Sequence, residues 1–347
     1  MAVRYYKEED QQQVEALYQK VFRKERSPEH WNWKFERRPS DLNPFILVFE
    51  EEGQILGHIA LWVAEAYIKG NSSKIALRVD TMVDPKARGK GIYGQLNQTM
   101  LEEAGKHQID LLYGFPAPKA KELLLRHTGG VHAGDISRYM MVMNPGPPAA
   151  GVLPLLKPLL AVAGNVYRHG KLKKLSFLPA GWEFNEVNHF DQRCDALAEA
   201  AAGLKPVLLK RGSDYLNWRF LEHPDHPYTA YSLSQEGELK GYIILKKEQV
   251  AFKKGRVTVG HIVDGLTFGD QRNWEYLFTE AIRKLGDTDI IQTWMAPGGP
   301  AAGALEQIGF KEKDKPMPLV IHRLNEEYSE ADKLENWWIT QGDVDSF

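Results

Sequence analysis

Three glycines fall within Arg88-Gly89-Lys90-Gly91-Ile92-Tyr93-Gly94, directly after the apolar run Leu77-Arg78-Val79-Asp80-Thr81-Met82-Val83. Glycine takes backbone dihedrals that a Cβ forbids and lets the chain approach a ligand closely, while Arg88 and Lys90 add positive charge. Ile92, Leu96, Met100 and Ala104 recur every four residues, which predicts a helix from Ile92 to His107 that opens inside the loop. Unpaired N–H groups at such a helix start carry about half a positive charge and favour an anion by about 0.3–1 kcal/mol. The chemistry these residues support is the holding of a polyphosphate.

Two familiar phosphate loops can be tested against this spacing. A P-loop needs Gly-Lys-Ser/Thr, but Gly91 is followed by Ile92. Gly89, Gly91 and Gly94 do fit the dinucleotide spacing G-x-G-x-x-G, yet the next apolar strand, near residues 109–115, offers Asp110 at its start rather than an acid at its end. The segment Val83-Asp84-Pro85-Lys86-Ala87-Arg88-Gly89-Lys90-Gly91 instead resembles motif A of the GNAT family of acetyl-CoA-dependent N-acetyltransferases. That family carries Arg/Gln-x-x-Gly-x-Gly/Ala after a strand ending in Val-x-Pro. Tyr93 stands where a second Gly or Ala is usual, a departure familiar in branches with two tandem domains.

The resemblance implies that acetyl-CoA is the co-substrate, its pyrophosphate on Arg88, Gly89, Lys90, Gly91, Ile92, Tyr93 and Gly94. It also implies that the strand before the loop splays from the next one and that its free backbone, at Met82 and Val83, pairs with the pantetheine arm. An amine attacks a thioester only as the free base, and a backbone N–H near Val83 would stabilise the oxyanion. Asp80, three residues before Val83, is read as the base, although Asp264 at the same place in an internal repeat argues for a shared structural hydrogen bond. Tyr113 is a second candidate. Many relatives use a tyrosine to protonate the leaving thiolate; here Leu125 occupies its place and Pro118 stands near a common asparagine, so another residue or water does that work. Asp343 and Asp345 near the C-terminus are an alternative attraction for a cationic acceptor, beside a last strand read at Trp337 to Thr340.

The elements that position these residues come from a duplication. Trp33-Lys34-Phe35-Glu36-Arg37-Arg38-Pro39 recurs as Trp218-Arg219-Phe220-Leu221-Glu222-His223-Pro224. Gly53-Gln54-Ile55-Leu56-Gly57 recurs as Gly237-Glu238-Leu239-Lys240-Gly241, and Val79-Asp80 as Val263-Asp264, all at one offset to within a residue. The second copy reads Gly265-Leu266-Thr267-Phe268-Gly269-Asp270 where the first has its loop; the glycines are wrongly spaced and Asp270 repels phosphate. The expected class is α/β (α+β): two tandem GNAT-like domains, each a mixed central β-sheet flanked by helices. The expected divisions are residues 1–143 with the acetyl-CoA site, 144–182 as a linker with an apolar helix, and 183–347 as a degenerate second copy. The linker helix is expected to pack against both domains, with a membrane-surface helix as the alternative; its prolines and length rule out a bilayer span.

Composition narrows the function further. The 347 residues carry a net charge of −2, which gives no general pull toward nucleic acid. A single cysteine, Cys194, and no Cys/His cluster of zinc spacing leave no disulfide or metal framework. Met1-Ala2-Val3-Arg4-Tyr5-Tyr6-Lys7 has no apolar leader character, so the expected location is cytoplasmic. Three readings stand: an N-acyltransferase acting on a small-molecule or peptide amine, a tandem GNAT protein that binds acyl-CoA without catalysis, and a Fem-like aminoacyl transferase. An intact pyrophosphate loop counts against the third.

Overall fold

The computed structural model of the chain describes residues 2–253 and 255–345. In chain order the elements are β1 (Ala2–Tyr5), α1 (Gln11–Phe22), α2 (Pro28–Trp31), β2 (Phe45–Glu51), β3 (Gln54–Ile68), β4 (Asn71–Val83), α3 (Ile92–Lys106), β5 (Leu111–Gly114), α4 (Pro118–His127) and β6 (Val131–Val142). They continue with α5 (Gly146–Val152), α6 (Lys157–Lys173), β7 (Trp182–Val187), α7 (Arg193–Ala200), β8 (Val207–Leu209), α8 (Ser213–Leu216), β9 (Thr229–Gln235) and β10 (Glu238–Phe252). The last are β11 (Gly255–Thr267), α9 (Gln271–Lys284), β12 (Ile290–Met295), α10 (Gly299–Ile308), β13 (Lys311–Arg323) and β14 (Trp337–Trp338).

Two compact units divide the chain. The first holds residues up to Asp135 with Lys205–Lys210 and Met317–Trp337; the second holds Ile136–Leu204, Arg211–Pro316 and the chain from Trp338. In the first, β1, β2, β3 and β4 form an antiparallel series, β5 joins β4 in parallel, and β13 closes the order antiparallel to β5. In the second, β7, β9, β10 and β11 repeat the antiparallel series, β12 joins β11 in parallel, and β6 closes antiparallel to β12. The strands of the two units thus repeat one mixed order, the fold class read from the sequence.

The boundaries are another matter. One strand of each unit comes from the other half of the sequence: β13 pairs Val320 with Gly114, and β6 pairs Met141 with Ile291. The expected cut after residue 143 therefore misses the exchange, and the segment 144–182 belongs wholly to the second unit. Strand pairing is chosen by tertiary partners, which for both strands lie far off in sequence.

The repeated motifs have local reasons. Trp31, Trp33 and Phe35 are buried, as are Trp218 and Phe220, and each motif winds into one π-helical turn, with Arg37 N–H donating to Asn32 O and Glu222 N–H to Asn217 O, both at 2.9 Å. Gly57 lets α3 approach β3: a Cβ there would sit 2.8 Å from Ile92 Cγ2 and from Leu96 Cδ1. Ile92, Leu96, Met100 and Ala104 are buried as the periodicity requires and join Leu47, Ile59, Ala76 and Leu112 in one core. The first unit's loop is thus held by a helix whose inward face is fully committed to packing.

Candidate functional site

The loop between β4 and α3 begins with a capped turn. Asp84 accepts from Lys86 N–H at 2.8 Å and pairs with Lys20, which fixes Pro85–Ala87. Gly89 and Gly91 then take φ of 88° and 78°, the left-handed region that disfavours side chains. No side chain caps α3, whose N-cap is Gly91 itself. Arg88 is exposed, and among the described residues it forms no ion pair; Lys90 lies 3.0 Å from Glu51. A Cβ at Gly94 would meet nothing within 4 Å. Uncapped N–H groups, open glycines and an exposed guanidinium are features that suit an anion. Ile92 contributes backbone only, since its side chain is buried, while Tyr93 is half-buried and burial raises its pKa.

The strand leading into the loop is unpaired along one edge. β4 pairs with β5 only at Ile75, Ala76 and Leu77, yet its ladder with β3 continues to Val83 opposite Gly57. Between Arg78 and Val83 the edge toward β5 therefore has no strand partner among the described residues, the splay that the resemblance implied. Met82 is buried and Val83 half-buried at its end. Asp80 marks an irregularity in the β3 ladder and takes φ of 47°.

Asp80 is not a free carboxylate. Arg26 Nη1 lies 2.5 Å from one oxygen and Lys34 Nζ 2.8 Å from the other, with all three side chains buried. Burial alone would raise its pKa, but Lys34 and Arg26 outweigh this and hold it well below the usual carboxylate range. The sequence reads Asp80 as the base; in the fold its carboxylate is ion-paired on both oxygens. Tyr113 is buried, packing against Phe115 and Trp337 at ring distances of 6.0 and 5.5 Å.

Other polar residues lie beside this site. Arg78, on β4 where the splay begins, donates to Asn97 on α3 and lies 3.2 Å from His322 Nδ1 on β13; its Nε is buried without a partner. Burial lowers its pKa to about 10 and, with Arg78 beside it, that of His322 to about 3. His58, on β3, is fully buried, with Nδ1 2.7 Å from the Asp80 carbonyl, an unpartnered Nε2, and a pKa lowered to about 4 by burial. Arg78 within an apolar run was the one visible signal; His322 enters only through the exchanged strand.

The second unit shows the same places in use for other ends. Asp270 caps α9 by accepting from Arg272 N–H at 3.0 Å, so a carboxylate occupies the place where the first unit leaves its N–H groups open. The chain near its C-terminus bridges β11 and β12: Thr340 donates to Asp264 at 2.7 Å, forms a bridge with Met295, and Gln341 Nε2 lies 3.1 Å from His261 Nδ1. Asp343 is buried against Arg211 at 2.6 Å, not open to a cationic acceptor. The last strand is Trp337–Trp338, shorter than expected. Among the described residues no group of acids, histidines and cysteines would hold a metal, and no helix is long and apolar enough to cross a membrane.

Residues 2–121 match the family model of the acetyltransferase (GNAT) domain. Among solved structures, the chain is similar to a GCN5-related N-acetyltransferase from Anabaena variabilis, with TM-score 0.68 and 15% identity over 93% of this chain and 73% of that one. It is similar to a probable N-acyltransferase from Enterococcus faecalis, with TM-score 0.64 and 14% identity over 92% and 72%. It is also similar to Saccharomyces cerevisiae N-myristoyltransferase with bound myristoyl-CoA, with TM-score 0.54 and 12% identity over 91% and 79%. At these identities the likeness is one of fold. No curated protein matches the sequence.

Proposed function

We propose that this chain, which carries an acetyltransferase domain of the GNAT family over residues 2–121, is an N-acyltransferase that moves an acetyl group from acetyl-CoA to a primary amine in a ternary complex. The observation that carries the reading is the pairing of an uncapped, glycine-opened helix start with a strand edge left free over residues 78–83. The loop suits a pyrophosphate, and the free edge suits a pantetheine arm whose amides pair as another strand would. The amine nitrogen attacks the thioester carbonyl, the C–N bond forms as the C–S bond breaks, and a free N–H of β4 near Val83 meets the oxyanion. The amine loses its proton and the thiolate gains one. Asp80 serves here as a positioning residue, anchoring Arg26 and Lys34 behind the irregular stretch of β4. The second unit is read as a GNAT-like copy without a donor site, because Asp270 already caps the equivalent helix.

One observation favours a second reading, an acyl-CoA-binding protein without catalysis: Asp80 is locked and Leu125 replaces the usual tyrosine. Titration calorimetry with CoA and an amine panel with thiol-release detection test both. Gly91→Val, which forces a branched residue to φ of 78°, should abolish CoA binding, whereas Gly269→Ala should leave it intact. Equal loss in both variants, or no CoA binding by the unaltered chain, would end both readings. Full CoA occupancy without thiol release from any amine would favour the second.

A further inference from the structure

Helix α6 is apolar around more of its circumference than the protein covers. Its inward face is set by close packing: a Cβ on Gly164 would collide with Asn144 Oδ1, and one on Gly146 in α5 with the Leu160 carbonyl. That contact fixes the rotation of the helix, with Gly164 buried and Leu160 and Leu172 partly covered. Leu159, Val162 and Val166 then face outward, at 70, 66 and 69% exposure, and Leu155 just before them is 95% exposed. A surface helix of a water-soluble domain places polar residues on that face. Here aliphatic side chains at three- and four-residue spacing stand in solvent instead.

Charge indicates what covers them. From 136 to 182 the sequence has no Asp or Glu but has Arg138, Lys157, Arg168, Lys171, Lys173 and Lys174, in a chain whose net charge is −2. Arg138 and Arg168 are held by Asp314 and Asp289, and Lys171 lies over the Tyr167 ring at 5.3 Å. Lys157, Lys173 and Lys174 are exposed at the two ends of the helix, without ion pairs among the described residues. We propose that the outward face of α6 with these flanking lysines docks on an anionic lipid surface, the helix lying flat with its aliphatic side chains at the acyl boundary and its lysines reaching the headgroups. A two-fold dimer through the same face would set like charges together, which disfavours a second copy as the occupant. The helix has 17 residues and an exposed lysine at each end, which suits lying on a bilayer and not crossing it.

Vesicle flotation of the full chain tests this, using phosphatidylcholine alone and phosphatidylcholine with an equal part of phosphatidylglycerol. The chain should float only with the anionic vesicles, and high salt should release it. Lys157→Glu/Lys173→Glu/Lys174→Glu should weaken partition by about a hundredfold or more, and Leu159→Asp/Val166→Asp should abolish it. All five positions are exposed, so unchanged thermal unfolding of both variants checks that the fold is intact. The proposal is overturned if the unaltered chain ignores anionic vesicles or if both variants partition as it does. It is equally overturned if sedimentation equilibrium without lipid finds a dimer that Leu159→Asp/Val166→Asp dissociates, since a second copy would then cover the face.

Discussion

Asp80 has a counterpart in the second unit that explains what it does. Asp264 is buried with Arg211 Nε at 3.2 Å from both oxygens, and Tyr242 donates to it at 2.8 Å. Arg26 and Arg211 hold the same place in the repeat, as do Asp80 and Asp264, so one buried ion pair is built twice, once beside the glycine loop and once without it. Asp80→Asn should therefore cost about 3–5 kcal/mol by denaturant unfolding, because Arg26 and Lys34 are left buried beside a neutral amide. Wild-type stability with collapsed turnover would restore Asp80 as the base. The buried histidines predict a pH dependence with a definite sign. His58 falls from 6.5 to about 4 on folding and His322 to about 3, so each is neutral in the fold and takes up protons more readily when unfolded. Their contribution is complete above about pH 6.5 and is lost as pH falls toward 4, by about 3 kcal/mol for His58. Thermal melts between neutral pH and pH 5 should show this decline, shallower in His58→Asn.

Helix starts differ between the two units in what meets their first N–H groups. In α3 the glycines leave the first N–H groups open, and in α9 Asp270 satisfies them from within. Gly94→Asp separates stability from function at this place. The position is helical with open space for a side chain, so a carboxylate in the first turn should leave the melting temperature unchanged or slightly raised. The same carboxylate should weaken CoA by tenfold or more through repulsion of the pyrophosphate, read by calorimetry. The paired glycines beneath the helices differ in what they protect. A Cβ at Gly57 meets side-chain atoms of Ile92 and Leu96, whereas one at Gly241 meets the Leu266 carbonyl at 2.8 Å. Both alanine variants should destabilise, by about 1–3 kcal/mol, and Gly241→Ala should lose more because backbone yields less than side chains.

Across the whole molecule, two units of one strand order differ at the start of their equivalent helices, and one donor site is proposed. Calorimetry should find one CoA per chain, and Gly94→Asp should weaken that binding with no second site behind it; two equivalents would refute the assignment of Asp270 as an occupying cap. Each unit takes one strand from the other half of the sequence, β13 in the first and β6 in the second. A fragment ending at residue 143 would lack the partner of β5 and the His322 that faces Arg78, so it should express as aggregated or unfolded chain. Soluble, cooperatively melting fragment would show that the exchange is dispensable.

Local features were legible in the sequence because their causes are local. Glycine spacing, the four-residue apolar period of α3 and the repeated Trp-x-Phe turn need only neighbouring residues, so the loop, its helix and the duplication could be read directly. The splay of β4 followed from a resemblance, and the ladder ending at Leu77 gives it a physical form. The ion pairs of Asp80 were not legible because its partners, Arg26 and Lys34, lie far off in sequence and a carboxylate shows nothing of its counter-ions from composition. The exchanged strands, the burial of Arg78 beside His322 and the outward face of α6 likewise depend on which surfaces meet. Sequence alone determined where the backbone opens to an anion; the tertiary structure decided which charges remain free to act there, because desolvation and pairing are set by distant neighbours.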